Sequence, residues 1–162
     1  MIFITLGTQK FQFDRLLKEV DNLVVKGIIN DKVFAQIGYS EYKPKSFEYK
    51  AFLDNDIFNK LMDESSLVIT HGGTGSIVSA LKRRKKVIAV PRLKKFGEHV
   101  DDHQIQIIQE FIEKNYILGC TSIEDLGKVY LKSKKGVFKP YVSNSDVFIK
   151  DIEFFLNGCD NI

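Results

Sequence analysis

The residues best suited to chemistry lie between Val68 and Gln104. An apolar run ends at Thr70, and His71-Gly72-Gly73-Thr74-Gly75-Ser76 follows it, before apolar residues recur at helical spacing. A glycine-rich turn between a strand and a helix is a common phosphate site, because free backbone N–H groups and the positive end of the helix dipole converge there. The pattern indicates a site for a nucleotide-like anion, although a tight turn without a ligand would also need these glycines.

A second polar cluster follows the next apolar run. Pro91 closes that run, and a basic loop leads to Glu98-His99-Val100-Asp101-Asp102-His103-Gln104. Arg92 and Lys94 follow the C-terminal end of a predicted strand, where open α/β sheets bind ligands, or they belong to a plain solvated loop. His99 and His103 are spaced i,i+4, but loop residues separate them from a continuous helix and no cysteine lies nearby. For His71, His99 and His103 we therefore expect sugar or phosphate contacts rather than a metal.

Three common motifs are missing from these turns. The turn after Thr70 lacks G-x-x-x-x-G-K-[ST] and G-x-G-x-x-G, which argues against a nucleoside triphosphatase and a dinucleotide cofactor. The segment from Gly73 to Ile77 does not form G-x-S-x-G, so a serine nucleophile is poorly supported. We therefore expect no cofactor.

Composition and charge fit a single domain. The 162 residues are 44% hydrophobic, with a mean hydropathy of −0.12, which is typical of a globular protein with its own core. The first residues lack the features of a signal peptide, and the two cysteines have no metal spacing, so we expect a cytoplasmic setting. A net charge of +3 gives little support to nucleic-acid binding.

Basic residues concentrate between Lys82 and Lys95, in a stretch without an acidic residue. Lys82 to Lys86 are interpreted as a solvated helix end, and an anionic membrane face is the alternative.

Apolar patterning predicts strands alternating with helices, which indicates a doubly wound, Rossmann-like α/β domain with a mostly parallel sheet over residues 1–162. Asp54 or Asn55 should cap the second helix. The predicted strands are residues 2–6, 33–38, 47–53, 67–70, 86–90 and 116–118, and the predicted helices are residues 13–24, 57–62, 74–84, 101–114, 123–134 and about 145–157.

The last predicted helix is apolar on nearly all sides, which suggests more than one packing face. Phe148 and Phe155 either fill the domain's own core or form a docking surface for a partner.

Together these motifs resemble glycosyltransferase family 28, in its C-terminal, donor-binding half. The resemblance rests on Leu6-Gly7-Thr8, the turn from Thr70 to Ser76, and Pro91-x6-Glu98-His99-Val100-Asp101-Asp102-His103-Gln104. The length is similar to that of stand-alone members. These are the catalytic subunit of the dolichol-linked N-acetylglucosaminyltransferase and the small subunits of bacterial capsular and exopolysaccharide transferases, including β-1,4-galactosyltransferases.

The resemblance implies the donor-binding half of a GT-B enzyme, with a UDP-sugar at the C-terminal edge of the sheet. His103 and Gln104 would contact the donor sugar, and His103 is a weak candidate for a catalytic residue. The family often has a ribose-binding glutamate where this chain has Ser79, so either another acid such as Glu98 takes that contact or the ribose is held less firmly. Arg92 and Lys94 are candidates for a cation that stabilises the UDP leaving group. The implied substrate-binding residues are Gly7, Thr8, His71, Gly72, Gly73, Thr74, Gly75, Ser76, Arg92, Glu98, His103 and Gln104.

The resemblance also implies inverting, metal-independent transfer of a hexose, with UDP-galactose favoured, to a lipid-linked saccharide in capsule or exopolysaccharide synthesis. A membrane-anchored partner subunit would supply the acceptor site and hold this chain at the inner face of the membrane. The alternative is a non-catalytic nucleotide-sugar-binding module that enhances a partner transferase.

Overall fold

The computed structural model describes residues 1–142, and the helix predicted at about 145–157 lies outside them. The chain forms one six-stranded sheet in the order β3-β2-β1-β4-β5-β6. Every strand pairing is parallel, which confirms the predicted doubly wound α/β class. The strands are β1 Ile2–Thr5, β2 Val33–Gln36, β3 Glu48–Lys50, β4 Leu67–His71, β5 Lys86–Val90 and β6 Leu118–Gly119.

Helices connect the strands and cover both faces of the sheet. Asp54 caps the second helix by accepting a hydrogen bond from the backbone N–H of Ile57 at 2.8 Å, as the sequence predicts. Lys94–Phe96 and Ile123–Asp125 are 3₁₀ turns. The helices are α1 Asp14–Val25, α2 Asn55–Glu64, α3 Thr74–Lys82, α4 Gln104–Glu113 and α5 Leu126–Lys135.

The central strands are buried on both faces, which explains why they read as continuous apolar runs. Ile2, Ile4 and Ile69 face one hydrophobic core with α1 and α5. Phe3 and Val68 face a second core with α2, α3 and α4. Side chains alternate between the two sheet faces, so β1, β4 and β5 each contribute to both cores.

Helix α4 begins at Gln104, so the predicted start at residue 101 is wrong. The Asp101 carboxylate accepts a hydrogen bond from the His103 N–H at 3.1 Å. The Asp102 carboxylate accepts one from the Lys94 N–H at 2.7 Å. These bonds place both acids in the turn before the helix, rather than in its first turn.

Several other boundaries also differ from the sequence prediction, and α5 begins at Leu126 rather than residue 123 because Ile123–Asp125 form a 3₁₀ turn. Strand β6 begins at Leu118, because the Tyr116 N–H still bonds to Phe111 O at the end of α4. Helix α3 ends at Lys82 instead of residue 84, and Arg84 has a φ of 56°.

The basic stretch that follows α3 is largely engaged by neighbouring elements. The Arg83 guanidinium contacts Asp63 at 3.1 Å, and Lys86 Nζ donates to Ser133 O at the end of α5 at 2.9 Å. Lys82 lies in the last turn of α3, as interpreted, whereas Lys86 belongs to β5 rather than to a solvated helix end. No helix among residues 1–142 is long and apolar enough to cross a membrane.

The sheet has its topological switch point between β1 and β4, since the chain leaves β1 toward β2 on one side and the later strands lie on the other. Ligands of open α/β sheets bind at the carboxyl ends of the strands at such a point. The segments that leave β1 and β4 are the two that the sequence analysis singled out.

Candidate functional site

A cleft of about 470 Å³ lies at the carboxyl ends of β1 and β4. It brings together every predicted site residue except Gly72, Arg92 and Glu98. Among the described residues, no lysine, arginine, aspartate or glutamate lines it. The lining residues are Gly7, Thr8, Gln9, His71, Gly73, Thr74, Gly75, Ser76, His99, His103, Gln104 and Ile107.

The first turn of α3 supplies backbone donors to this cleft. Gly73 caps the helix without a side-chain hydrogen bond. The Ile77 N–H bonds to Gly73 O at 3.2 Å, so the N–H groups of residues 74–76 precede the helical hydrogen-bond ladder. Such groups, at the positive end of the helix dipole, suit an anion.

The glycines of the cleft have two different roles. A Cβ at Gly73 would lie 2.3 Å from His71 Nε2, and one at Gly72 would lie 2.6 Å from Gln104 Cβ. Gly7, with a φ of +73°, likewise leaves room for the His71 ring. A Cβ at Gly75 would meet nothing within 4 Å. The first three glycines therefore accommodate internal side chains, and Gly75 keeps the cleft open.

His71 forms the floor of the cleft as a neutral imidazole. His71 is 7% exposed. Burial, assisted by the positive charge of Arg92, lowers the pKa of its imidazole to about 4. A neutral imidazole can donate one hydrogen bond and accept another. His71 can therefore orient a ligand without adding positive charge.

Arg92 does not reach the cleft, which corrects its predicted contact with a leaving group. The residue is 1% exposed, and its Nη2 donates to Leu6 O at 2.8 Å and Phe11 O at 3.2 Å. Burial lowers its pKa to about 10, so it stays charged at neutral pH. Lys94 is also not among the lining residues.

Glu98 is likewise a structural residue rather than a substitute for the ribose-binding glutamate. It is fully buried, and its carboxylate accepts from Arg15 Nε at 3.0 Å and Arg15 Nη2 at 2.9 Å. The Leu93 N–H donates to the same carboxylate at 2.9 Å. With these partners, Glu98 ties the segment after β5 to α1.

Ser79 does not take the ribose contact either. Arg83 Nη1 donates to Ser79 Oγ at 2.9 Å and to Ser79 O at 3.1 Å. Ser79 is not among the residues that line the cleft.

Gln104 links two walls of the cleft. Its Oε1 accepts from the Gly72 N–H at 2.9 Å and from the Arg92 N–H at 3.1 Å. The Gly72 N–H is therefore engaged inside the protein, which corrects its predicted contact with a diphosphate. Gln104 itself lines the cleft.

His99, Asp101 and His103 lie together at the mouth of the cleft. The His103 side chain is 48% exposed, and its Nδ1 contacts Asp101 Oδ1. His99 Nδ1 lies 3.1 Å from the same oxygen. His99 lines the cleft, in line with the ligand contacts expected of the histidines in both polar clusters. Gln9 and Ile107 line it without having been predicted. Gln9 carried a sequence signal, since it directly follows Gly7-Thr8.

A larger groove of about 600 Å³ lies beside α1. Its charged lining includes Lys18, Glu19 and Glu41 together with the Arg15–Glu98 pair. Of the predicted site residues, only Glu98 borders it, and the first turn of α3 does not. The smaller cleft is therefore the better candidate site.

The fold and this cleft define an α/β domain with a candidate ligand site at the switch point of its sheet. The chain matches the model of the glycosyltransferase family 28 C-terminal domain over residues 1–152, and it belongs to that family. This confirms the family resemblance seen in the sequence.

Two curated relatives carry the name UDP-N-acetylglucosamine transferase subunit ALG13. The chain is 32% identical to the one from Debaryomyces hansenii over 123 residues, covering 74% of this chain and 53% of the relative. It is 31% identical to the one from Candida albicans over 109 residues, covering 67% of this chain and 31% of the relative. The chain therefore spans about half or less of these relatives' own length.

Solved structures share the fold. An NMR solution structure of ALG13 superimposes with a TM-score of 0.59 at 20% identity, covering 88% of this chain and 89% of that one. MurG from Acinetobacter baumannii superimposes with a TM-score of 0.56 at 17% identity, covering 81% of this chain and 40% of that one. The domain corresponds to the C-terminal half of a GT-B glycosyltransferase.

Proposed function

We propose that this chain is the donor-binding, catalytic subunit of a two-component inverting UDP-glycosyltransferase. The observation that carries the proposal is the cleft in which the first turn of α3 faces the rim histidine His103. In it, the N–H groups of residues 74–76 bind the UDP diphosphate. His103 and Gln104 contact the donor sugar.

The chemistry follows from what the cleft contains. Negative charge that develops on the UDP leaving group is stabilised by the backbone N–H groups and the dipole of α3. Arg92 contributes to this stabilisation only through the electrostatic field of its positive charge, because the guanidinium is buried away from the cleft. Donor binding of this kind needs no metal.

The acceptor hydroxyl must lose a proton during transfer. Of the cleft's described side chains, His103 is the half-exposed titratable group, and it remains a weak candidate for the base. A partner subunit that faces the cleft would supply the acceptor site. The catalytic base would then more usually lie in that partner subunit. We infer that the partner is membrane-anchored and the acceptor lipid-linked, so that this chain acts at the cytoplasmic face of a membrane.

Two donor sugars are candidates. The names of the relatives support UDP-N-acetylglucosamine, whereas the sequence resemblance to small bacterial subunits favours UDP-galactose and capsule or exopolysaccharide synthesis. The two sugars differ at two ring positions, in the substituent at C2 and in the configuration at C4. A direct comparison of both donors decides between them.

Calorimetric titration tests the proposal. The purified chain, without added metal, is titrated with UDP, UDP-galactose, UDP-N-acetylglucosamine and UDP-glucuronic acid. We expect UDP to bind and one UDP-sugar to bind more tightly than the others. His103→Gln should remove the preference among sugars while UDP still binds, and Gln106→Ala, on an exposed position of α4, is the control.

Turnover separates this proposal from the alternative of a non-catalytic module that enhances a partner transferase. With the partner present, His103→Gln should lower sugar transfer more than it lowers UDP binding. Full transfer by a complex whose chain no longer binds UDP would support the non-catalytic alternative. A chain that binds none of the four ligands, alone or with the partner, contradicts both.

A further inference from the structure

His99, Asp101 and His103 converge at the mouth of the cleft. One candidate ligand atom from each residue lies within 4.8 Å of the other two. His99 Nδ1 is 3.1 Å from Asp101 Oδ1, and His103 Nδ1 contacts that same oxygen. Three groups that bind cations in their neutral or anionic form therefore point at one another.

Packing and backbone bonds hold this cluster in place. The His99 side chain is 8% exposed, and its ring lies 5.1 Å from the Phe11 ring, centroid to centroid. The His103 N–H donates to the Asp101 carboxylate at 3.1 Å, which fixes the turn between them. The Nδ1 atoms of His99 and His103 both meet one Asp101 oxygen, and a cation at this place would replace their hydrogen bonds to it.

The donor set selects the class of cation. Ligands at about 2.0–2.2 Å from zinc, at a tetrahedral angle, lie roughly 3.4 Å from each other. The His99–Asp101 distance of 3.1 Å is already close to this value. Two imidazoles and one carboxylate suit Zn²⁺, Co²⁺ or Ni²⁺, whereas Mg²⁺ and Ca²⁺ prefer oxygen ligands.

The described lining of the cleft also carries no positive side-chain charge to complement its proposed ligand. A diphosphate carries negative charge, yet the described lining contains no lysine or arginine, and Arg92 is buried. His99 and His103 both line the cleft, so a cation bound to them borders the space beside the first turn of α3.

We propose that His99, Asp101 and His103 form a binding site for a divalent transition metal, and that the bound cation strengthens diphosphate binding in the adjacent cleft. The second half of this inference rests on the proposed function. Donor binding does not require the metal; the metal adds positive charge to a cleft whose lining side chains carry none. Because coupling between two sites is reciprocal, UDP must raise the metal affinity by the same factor as the metal raises the UDP affinity.

The test begins with the metal alone. The chain, freed of any histidine tag and treated with a chelator, is titrated with Zn²⁺ by calorimetry and with Co²⁺ by visible absorption. We expect one equivalent per chain, with a Co²⁺ spectrum characteristic of imidazole and carboxylate ligands. Asp101→Asn and His103→Gln should each weaken binding at least tenfold. Asp102→Asn, which changes the neighbouring acid, should bind as the wild-type does.

Binding that is absent, or equal in wild-type and Asp101→Asn, overturns the metal site. The coupling is then measured as UDP affinity with and without Zn²⁺, using Asp101→Asn to correct for zinc–UDP complexes in solution. A severalfold gain in the wild-type alone supports the link, and equal UDP affinities overturn it. UDP binding without metal tests the proposed function separately, so the two can fail independently.

Discussion

Polar residues near the cleft belong to two regions with opposite environments. The buried clamp, which we define as Arg15, Arg92, Glu98 and Gln104, joins the segments that leave β1, β4 and β5 through hydrogen bonds inside the protein. The exposed rim, which we define as residues 74–76, Asp101 and His103, leaves polar groups open to a ligand. The clamp fixes the shape of the cleft, and the rim provides its chemistry.

The comparison shows that the type of a polar residue does not reveal whether it stabilises the fold or faces a ligand. Glu98 and His103 lie five positions apart in one segment, yet Glu98 is fully buried and His103 is half exposed. Their environments differ because Glu98 contacts Arg15 inside the protein, whereas His103 contacts Asp101 at the exposed mouth of the cleft. If the comparison holds, substitutions in the clamp should lower stability, and substitutions at the rim should lower ligand binding.

The largest expected effect is at Glu98. Glu98→Gln removes the buried carboxylate that Arg15 contacts and leaves that cation without its ion partner. We expect the free energy of unfolding to fall by about 3 kcal/mol, which is the scale for breaking a buried ion pair. Denaturant unfolding measures it. Glu48→Gln is the matched control, since the exposed Lys32–Glu48 pair should contribute less than about 1 kcal/mol.

The buried imidazole of His71 should make stability depend on pH. Its pKa is lowered from 6.5 to about 4, so the unfolded state binds more protons than the folded state between these values. Stability therefore falls as pH falls through this window, by up to about 2 kcal/mol between about pH 7 and about pH 5. Urea unfolding across the range measures the slope.

His71→Gln should flatten that slope, which assigns it to this residue. Asp21 and Asp31, whose pKa values are lowered by hydrogen bonds from Tyr42 and Tyr130, lose their contribution only below their ordinary values near 3.8. Acid loss of stability that is unchanged in His71→Gln would contradict a neutral, buried imidazole.

Gly73 should behave as part of the interior. In Gly73→Ala the new Cβ would lie 2.3 Å from His71 Nε2, so the ring or the turn must move. We expect a loss of about 1–3 kcal/mol in stability, as for other overpacked sites. Thermal and denaturant unfolding check this expectation, and a variant as stable as the wild-type would show that the ring is free to move.

Gly75 should behave as part of the rim, with the smallest effect on stability and the opposite sign. Its Cβ would meet no protein atom within 4 Å, and alanine favours a helix over glycine by up to about 1 kcal/mol. Gly75→Ala should therefore be slightly more stable than the wild-type. It should bind UDP more weakly, because the new methyl group enters the space beside the backbone N–H groups of residues 74–76. Paired unfolding and calorimetric titrations measure both changes.

Much of the fold could be predicted from the sequence, because the strands are buried on both faces and the helices carry apolar stripes. The start of α4 could not, since Asp101 and Asp102 bond to the backbone of their own loop instead of opening the helix. The spacing of residues in the sequence does not distinguish an acidic residue in the first turn of a helix from one that bonds to the loop before it.

The site was predictable where local sequence determines it. The glycine turn after β4 and the pair Gly7-Thr8 directly follow buried strands, and the parallel sheet places them at one edge. The Arg15–Glu98 pair joins residues 83 positions apart, and nothing near either residue indicates the other. The roles of Arg92 and Gly72 depend on similar long-range contacts.

A titration of the ¹⁵N-labelled chain with UDP, followed by amide chemical shifts, tests the central claim most directly. The account predicts that the largest shifts occur at Thr74, Gly75 and Ser76, with smaller ones at His103 and Thr8. Shifts confined to Lys18, Glu19 and Glu41, in the larger groove beside α1, would contradict it.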